Sequence, residues 1–127
     1  MEKIESIVAR LEKLEFHVKI LAESLNHTEN PIASLVVGFD WSLHDLNCAH
    51  DIFEMFENKM RESEKINWHD LEKEFYDRLN ICYQGLKSVV LAFYRNGQWT
   101  EVCHAYASSF GNSVPLELKA IAQGTLR

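Results

Sequence analysis

The sequence predicts an all-α protein, a compact bundle of five to six helices with a long, coiled-coil-like helix at its N-terminus. Apolar residues recur at steps of three and four along most of the 127 residues, the spacing typical of helices. Only 2 Pro and 5 Gly interrupt this pattern. A chain of this length with 46% hydrophobic residues can bury a core without a metal or disulfide. We expect one helical domain over residues 1–111 and a C-terminal tail over residues 112–127.

Residues 2–25 carry the most regular pattern and predict an oligomerisation helix. Positions a and d of three successive heptads are all apolar, which is typical of a coiled-coil seam. Arg10 and Glu15 flank this seam where they can pair between parallel chains. Val8, Phe16 and Ile20 lie off the seam, so we expect the same helix also to pack on its own core. The predicted oligomer interface consists of Ile4, Ile7, Leu11, Leu14, Val18, Leu21 and Leu25.

The next helix starts are marked by capping residues. Asn30 followed by Pro31 predicts a short helix that stops at Gly38. Ser42 with Asp45 three residues later forms a capping-box pattern, and Asn67 with Asp70 repeats it.

The remaining apolar periodicity predicts the other helices and leaves the tail open. We expect helices at about residues 43–62, 68–82, 86–95 and 98–110, with Gly111 ending the last. Residues 116–122 either form one or two helical turns or belong to a mobile tail.

Negative charge is concentrated in one stretch of the chain. Between Lys19 and Lys59 there is no Lys or Arg, and the formal net charge of the protein is -6. This charge argues against nucleic-acid binding and favours either a basic protein partner or ordinary solubilising charge. The candidate acidic partner surface consists of Asp40, Asp45, Asp51, Glu54 and Glu57.

Few residues suggest chemistry. His44, Cys48 and Asp51 have a spacing that can share one helix face, but a structural zinc site needs a fourth ligand. Cys103 and His104 are neighbours whose side chains diverge, so we interpret Cys103 as a core residue. No phosphate-binding loop or nucleophile motif is present, and we predict no cofactor and no catalytic residue.

The segment Arg10-Leu11-Glu12-Lys13-Leu14-Glu15-Phe16-His17-Val18-Lys19-Ile20-Leu21 resembles the opening of the YhaI-like family, small helical proteins of Bacillus and relatives. The resemblance continues over residues 10–110, through Pro31, Ser42, Asn67 and Leu71, Phe93-Tyr94, Asn96-Gly97 and Trp99. It implies an all-α fold and a homo-oligomer, and it implies no activity. The helix that contains His44 and Cys48 departs from the family pattern, as does the C-terminal tail.

These observations favour a cytoplasmic, non-enzymatic homo-oligomer that acts as a regulator or adaptor through protein–protein contacts. Three widely spaced cysteines and an N-terminus without a basic, apolar leader predict a reducing compartment. The longest apolar stretch, residues 32–39, is too short to span a membrane. One alternative is a transcription-associated regulator that contacts DNA or a DNA-binding protein. Another is a metal- or thiol-dependent enzyme built on Cys48, Cys103 and the histidines.

Overall fold

The computed structural model describes residues 2–124, and within this range the chain is helical with no strand. The all-α prediction is therefore confirmed at the level of fold class. The described part holds seven α-helices rather than five to six, because the C-terminal segment adds one. The helices are α1 (Glu2–Glu23), α2 (Pro31–Gly38), α3 (Leu43–Arg61), α4 (His69–Leu79), α5 (Tyr83–Arg95), α6 (Thr100–Ser108) and α7 (Lys119–Gln123), with short 3-10 helices at Gly111–Ser113 and Leu116–Leu118.

Helices α2 to α7 form a body around an aromatic core. The main interhelical contacts join α3 to α4, α2 to α5, α6 to α7 and α5 to α6. Phe53 lies at the centre, with ring centroids 5.0 Å from Phe93 and 5.4 Å from Phe75. All three rings are fully buried, and so is the ring of Tyr106. This packing buries the faces that the steps of three and four had marked as apolar.

The predicted helix starts differ in how they are capped. At α3, the backbone N–H of Asp45 donates to Ser42 Oγ at 3.1 Å, and the Ser42 N–H donates to Asp45 Oδ2 at 2.9 Å, which confirms that capping box. At α4, Asn67 Oδ1 instead accepts a bond from the His69 N–H at 3.1 Å, and the cap residue contributes no side-chain bond. Asn30 precedes α2 without a side-chain cap bond, and Pro31 begins that helix as expected.

The C-terminal segment packs against the body. Leu118 and Ile121 are fully buried members of the core. Lys87 on α5 is 7% exposed, and its Nζ lies 2.9 Å from Glu117 Oε2 and 4.9 Å from the centre of the Tyr83 ring. Residues 112–124 thus contribute to the same core as residues 31–111, and residues 125–127 lie outside the described range.

Helix α1 is the exception to this packing. It takes part in none of the main interhelical contacts, and its side chains from Lys3 to Leu21 are exposed. The helix ends at Glu23, so Leu25, the last residue of the predicted seam, lies in the turn that follows and is half-buried.

Candidate functional site

The apolar seam of α1 lies uncovered along its whole helical length. Its six helical members are all more than half exposed: Ile4 60%, Ile7 52%, Leu11 53%, Leu14 57%, Val18 53% and Leu21 65%. At 100° per residue these side chains fall on one side of the helix. A continuous exposed apolar surface of this kind is typical of an interaction site.

The expectation that α1 also packs on its own core is wrong. Val8, Phe16 and Ile20 are 46%, 59% and 48% exposed. The fully buried part of the core consists of side chains from residues 35–121, and no residue of α1 belongs to it. By helical geometry Phe16 and Ile20 lie roughly opposite the centre of the seam, so α1 has a second, smaller apolar patch.

A hydrogen-bonded turn joins α1 to the body. Asn26 Oδ1 accepts bonds from the backbone N–H groups of Thr28 at 2.7 Å and Glu29 at 3.3 Å. Ser24 Oγ donates to the Leu21 carbonyl at 2.6 Å, which satisfies an acceptor at the end of α1. The connection is therefore an Asx-type turn with defined geometry.

The five predicted acidic residues serve different purposes. Asp45 caps α3, and Glu57 lies 2.6 Å from Arg61 in an ion pair. Asp51 and Glu54 are exposed, and their spacing places both on the outer face of α3. Asp40 is exposed in the turn before α3, at a positive φ of 55°.

A polar cluster that sequence analysis missed links α4 to α6. The buried Tyr106 donates its hydroxyl to Glu72 Oε2 at 2.7 Å, and His69 Nδ1 lies 3.0 Å from Glu72 Oε1. Burial, followed by the hydrogen bond to Glu72, raises the pKa of Tyr106, so the hydroxyl stays a donor. The hydrogen bond to Glu72 raises the pKa of the exposed His69. These side chains line a cavity of about 270 Å³.

The His69–Glu72 spacing was visible in the sequence as an i, i+3 pair, but Tyr106 is 34 residues away from Glu72. Glu72 bonds His69 of its own helix and Tyr106 of α6, so the cluster ties α4 to α6. We assign it no reaction.

A second missed contact joins α3 to the loop before α6. Trp99 Nε1 donates to His50 Nδ1 at 3.0 Å, and the His50 ring meets the edge of Phe93 with centroids 5.2 Å apart. Trp99 has a positive φ of 54°, which is rare for a bulky residue. His50 is thus a hydrogen-bond acceptor within the body rather than part of an exposed charged surface.

The residues considered for thiol or metal chemistry do not form a reactive or metal-binding group. Cys103 is fully buried, and this burial raises the pKa of its thiol far above the ordinary value. A thiol that stays protonated is a poor nucleophile. His44 is exposed and Cys48 is half-buried, and no group of three or more His, Cys, Asp or Glu within residues 2–124 is arranged to hold a metal ion.

Three cations of the body, Arg61, Arg78 and Lys87, form ion pairs. Arg78 Nε lies 2.8 Å from Glu74 Oε1, and Lys87 is buried beneath Glu117. Helix α5, the helix considered for DNA contact, buries Leu86, Lys87, Val89, Val90, Ala92 and Phe93. Its inward face is therefore occupied by the core.

No protein-family model matches the chain, and neither does any curated protein or solved structure. Among the described helices, none has the length and apolarity needed to cross a membrane.

Proposed function

We propose that this protein is a non-enzymatic homo-oligomer in which α1 pairs with α1 of a second copy, and that it acts as a regulator or adaptor through protein–protein contacts. One observation carries the proposal. A 22-residue helix presents an unbroken a/d seam whose six members are all more than half exposed, while the rest of the fold closes its own core. The resemblance of residues 10–110 to the YhaI-like family agrees with this proposal, because it implies a homo-oligomer.

The size of the seam supports pairing between copies. Each seam side chain leaves on the order of 100 Å² exposed, so two copies would bury roughly 1,200 Å², near the lower limit for a stable interface. Apolar burial contributes about 25 cal/mol per Å², part of which offsets the entropy lost on association. We therefore expect an oligomer that forms at micromolar concentrations and dissociates on dilution.

The charges beside the seam favour a parallel arrangement. Arg10 occupies a g position and Glu15 the next e position, so in a parallel pair each Arg10 approaches Glu15 of the second copy. In an antiparallel pair g positions face g positions, which brings Arg10 near His17 without a carboxylate. Exposed ion pairs contribute only a few tenths of a kcal/mol, so they select orientation rather than drive association.

Size exclusion with light scattering tests the proposal. The full chain should have at least twice the mass of one copy at micromolar concentration, and Leu14→Asp should reduce this to one copy because it places a charge in the seam. Ser6→Asp is the matched control, since it adds the same charge to the same helix outside the seam. A monomeric wild-type protein, or equal masses for the two variants, would refute it.

Partner binding extends the same proposal. Asp51 and Glu54 offer an exposed acidic face to a basic protein, and the three free cysteines suit a cytoplasmic location.

The two alternatives, a regulator that contacts DNA and a metal- or thiol-dependent enzyme, have less support. Lys87 is not available to DNA, and Cys103 is enclosed by the core.

A further inference from the structure

A groove with a mainly apolar lining lies between α2 and α5 at the surface of the body. Its volume is about 400 Å³, within the range of small-molecule sites in proteins. The apolar part of its lining consists of Pro31, Leu35, Phe39, Leu91 and Ala92. This groove lies on the body and does not depend on pairing of α1.

Two polar groups in this groove lack partners. Ser34 Oγ is buried and has no hydrogen-bond partner within residues 2–124, although a buried hydroxyl without one costs about 1–3 kcal/mol. Arg95 is half-buried at the end of α5, and no carboxylate in the described part of the chain pairs with it. Both residues line the groove, and a change of the Ser34 side-chain rotamer is needed to bring its covered Oγ to a ligand there.

We propose that this groove binds a small amphipathic carboxylate, with its apolar tail between α2 and α5 and its carboxylate on Arg95 and Ser34. A guanidinium and a hydroxyl both donate hydrogen bonds, and a carboxylate accepts from both. No Asp or Glu is among the residues that line the groove, so no carboxylate of the lining competes for Arg95. An apolar wall with a few convergent polar donors is the usual composition of such a site.

The seam of a second copy of α1 fits this groove less well. The aliphatic side chains of that seam would cover the apolar wall but offer no hydrogen-bond acceptor to Ser34 or Arg95, so only the flanking Glu15 could supply one. The seam also runs about 26 Å along the helix from Ile4 to Leu21, so most of it would lie beyond a cavity of about 400 Å³. A ligand with one anionic head and one short tail can accept hydrogen bonds from both polar groups and place its tail on the apolar wall.

Gly38 offers a way to close the groove without disturbing the fold. It lines the groove at the end of α2, and a Cβ built there meets no other atom within 4 Å. Its backbone has no positive φ, so a side chain is tolerated without strain. Gly38→Leu should therefore fill the groove and leave helicity unchanged, which circular dichroism can verify.

Calorimetric titration of the full chain with decanoate tests the proposal, with decanol as the uncharged probe of equal tail length. We expect decanoate to bind at least tenfold more tightly than decanol. Arg95→Gln should weaken decanoate binding at least tenfold and change decanol binding less than twofold, because it removes the charged donor. Gly38→Leu should weaken both at least tenfold.

Three results would overturn the proposal. These are equal affinity of the wild-type protein for decanoate and decanol, unchanged decanoate binding to Gly38→Leu, and loss of the oligomer in Gly38→Leu. The last result would identify the groove as a contact between copies. Since Leu14→Asp leaves the groove intact, binding of decanoate by that variant separates this inference from the assembly proposed for α1.

Discussion

Helices α1 and α3 are similar in length and in apolar spacing, yet their apolar faces have opposite environments. In α3, the residues Ala49, Ile52, Phe53 and Phe56 are all completely buried. In α1, Leu11 and Leu14 are 53% and 57% exposed. Apolar periodicity indicates which face of a helix avoids water, but it does not say what covers that face.

The position of each helix relative to the body explains the difference in exposure. Helix α3 lies among elements that pack on each side of it, and its main contacts are with α4 and α6. Helix α1 leaves the body through the turn at Asn26. The apolar residues of α3 therefore stabilise the fold, whereas we expect those of α1 to stabilise an assembly.

The largest expected effect on stability distinguishes the role of α3 in the fold from the proposed role of α1 in assembly. Phe53→Ala should lower the free energy of unfolding of the body by about 3–5 kcal/mol, because it leaves a cavity among packed rings. Leu14→Ala should change it by less than about 0.5 kcal/mol, because α1 takes part in none of the main contacts of the body. Urea unfolding followed by tryptophan fluorescence measures this, since Trp41, Trp68 and Trp99 all lie in the body. Equal losses for the two variants would mean that α1 packs against the body.

An intermediate effect concerns the C-terminal segment, which the sequence pattern marked only weakly. Leu118→Ala should cost about 2–4 kcal/mol, because its side chain is completely buried. Leu116→Ala, two residues away and 78% exposed, is the matched control and should stay within about 0.5 kcal/mol. The same unfolding measurement compares them, and a small loss for Leu118→Ala would place the segment outside the cooperative fold.

The smallest effect is a pH dependence from the ion pair that holds this segment. The hydrogen bond from Lys87 lowers the pKa of Glu117 below its ordinary value of 4.5. The ion pair therefore adds stability above pH 4.5, and this contribution is lost as the pH falls through the lowered pKa of the folded state. Wild-type protein should be more stable than Glu117→Gln at neutral pH, and the difference should vanish in acid.

A matched variant makes this pH dependence specific. Glu64 is an exposed carboxylate with no ion-pair partner in the described part of the chain. Glu64→Gln should therefore give a nearly constant difference from wild type over the same range. A difference for Glu117→Gln that grows in acid would contradict the assigned ion pair.

Local signals predicted much of the fold, since they depend on residues close in sequence. The Ser42–Asp45 capping box and the bounds of α2 follow from neighbours three or fewer residues apart. The long-range contacts were not predictable in the same way. Trp99 meets His50 across 49 residues, and nothing in helical periodicity says which two faces will meet.

The two candidate binding surfaces, the α1 seam and the groove between α2 and α5, differ in the same way: only the first depends on residues close in sequence. Residues of the α1 seam share one helix and were identified from their spacing alone. The groove combines Ser34 of α2 with Arg95 of α5, and the packing of these two helices creates it. No short sequence motif brings such residues together, so the groove becomes visible only once the helices are placed.

Because α1 is joined to the body only at its C-terminal end, through the hydrogen-bonded turn at Asn26, a small rotation at this turn moves the far end of the helix a long way. A helix of 22 residues is about 33 Å long, so a rotation of roughly 10° at the turn moves its far end by about 6 Å. That displacement is about equal to one helical pitch of about 5.4 Å. If two copies join along α1, the torsion angles of residues 24–30 therefore set the spacing and tilt between their bodies.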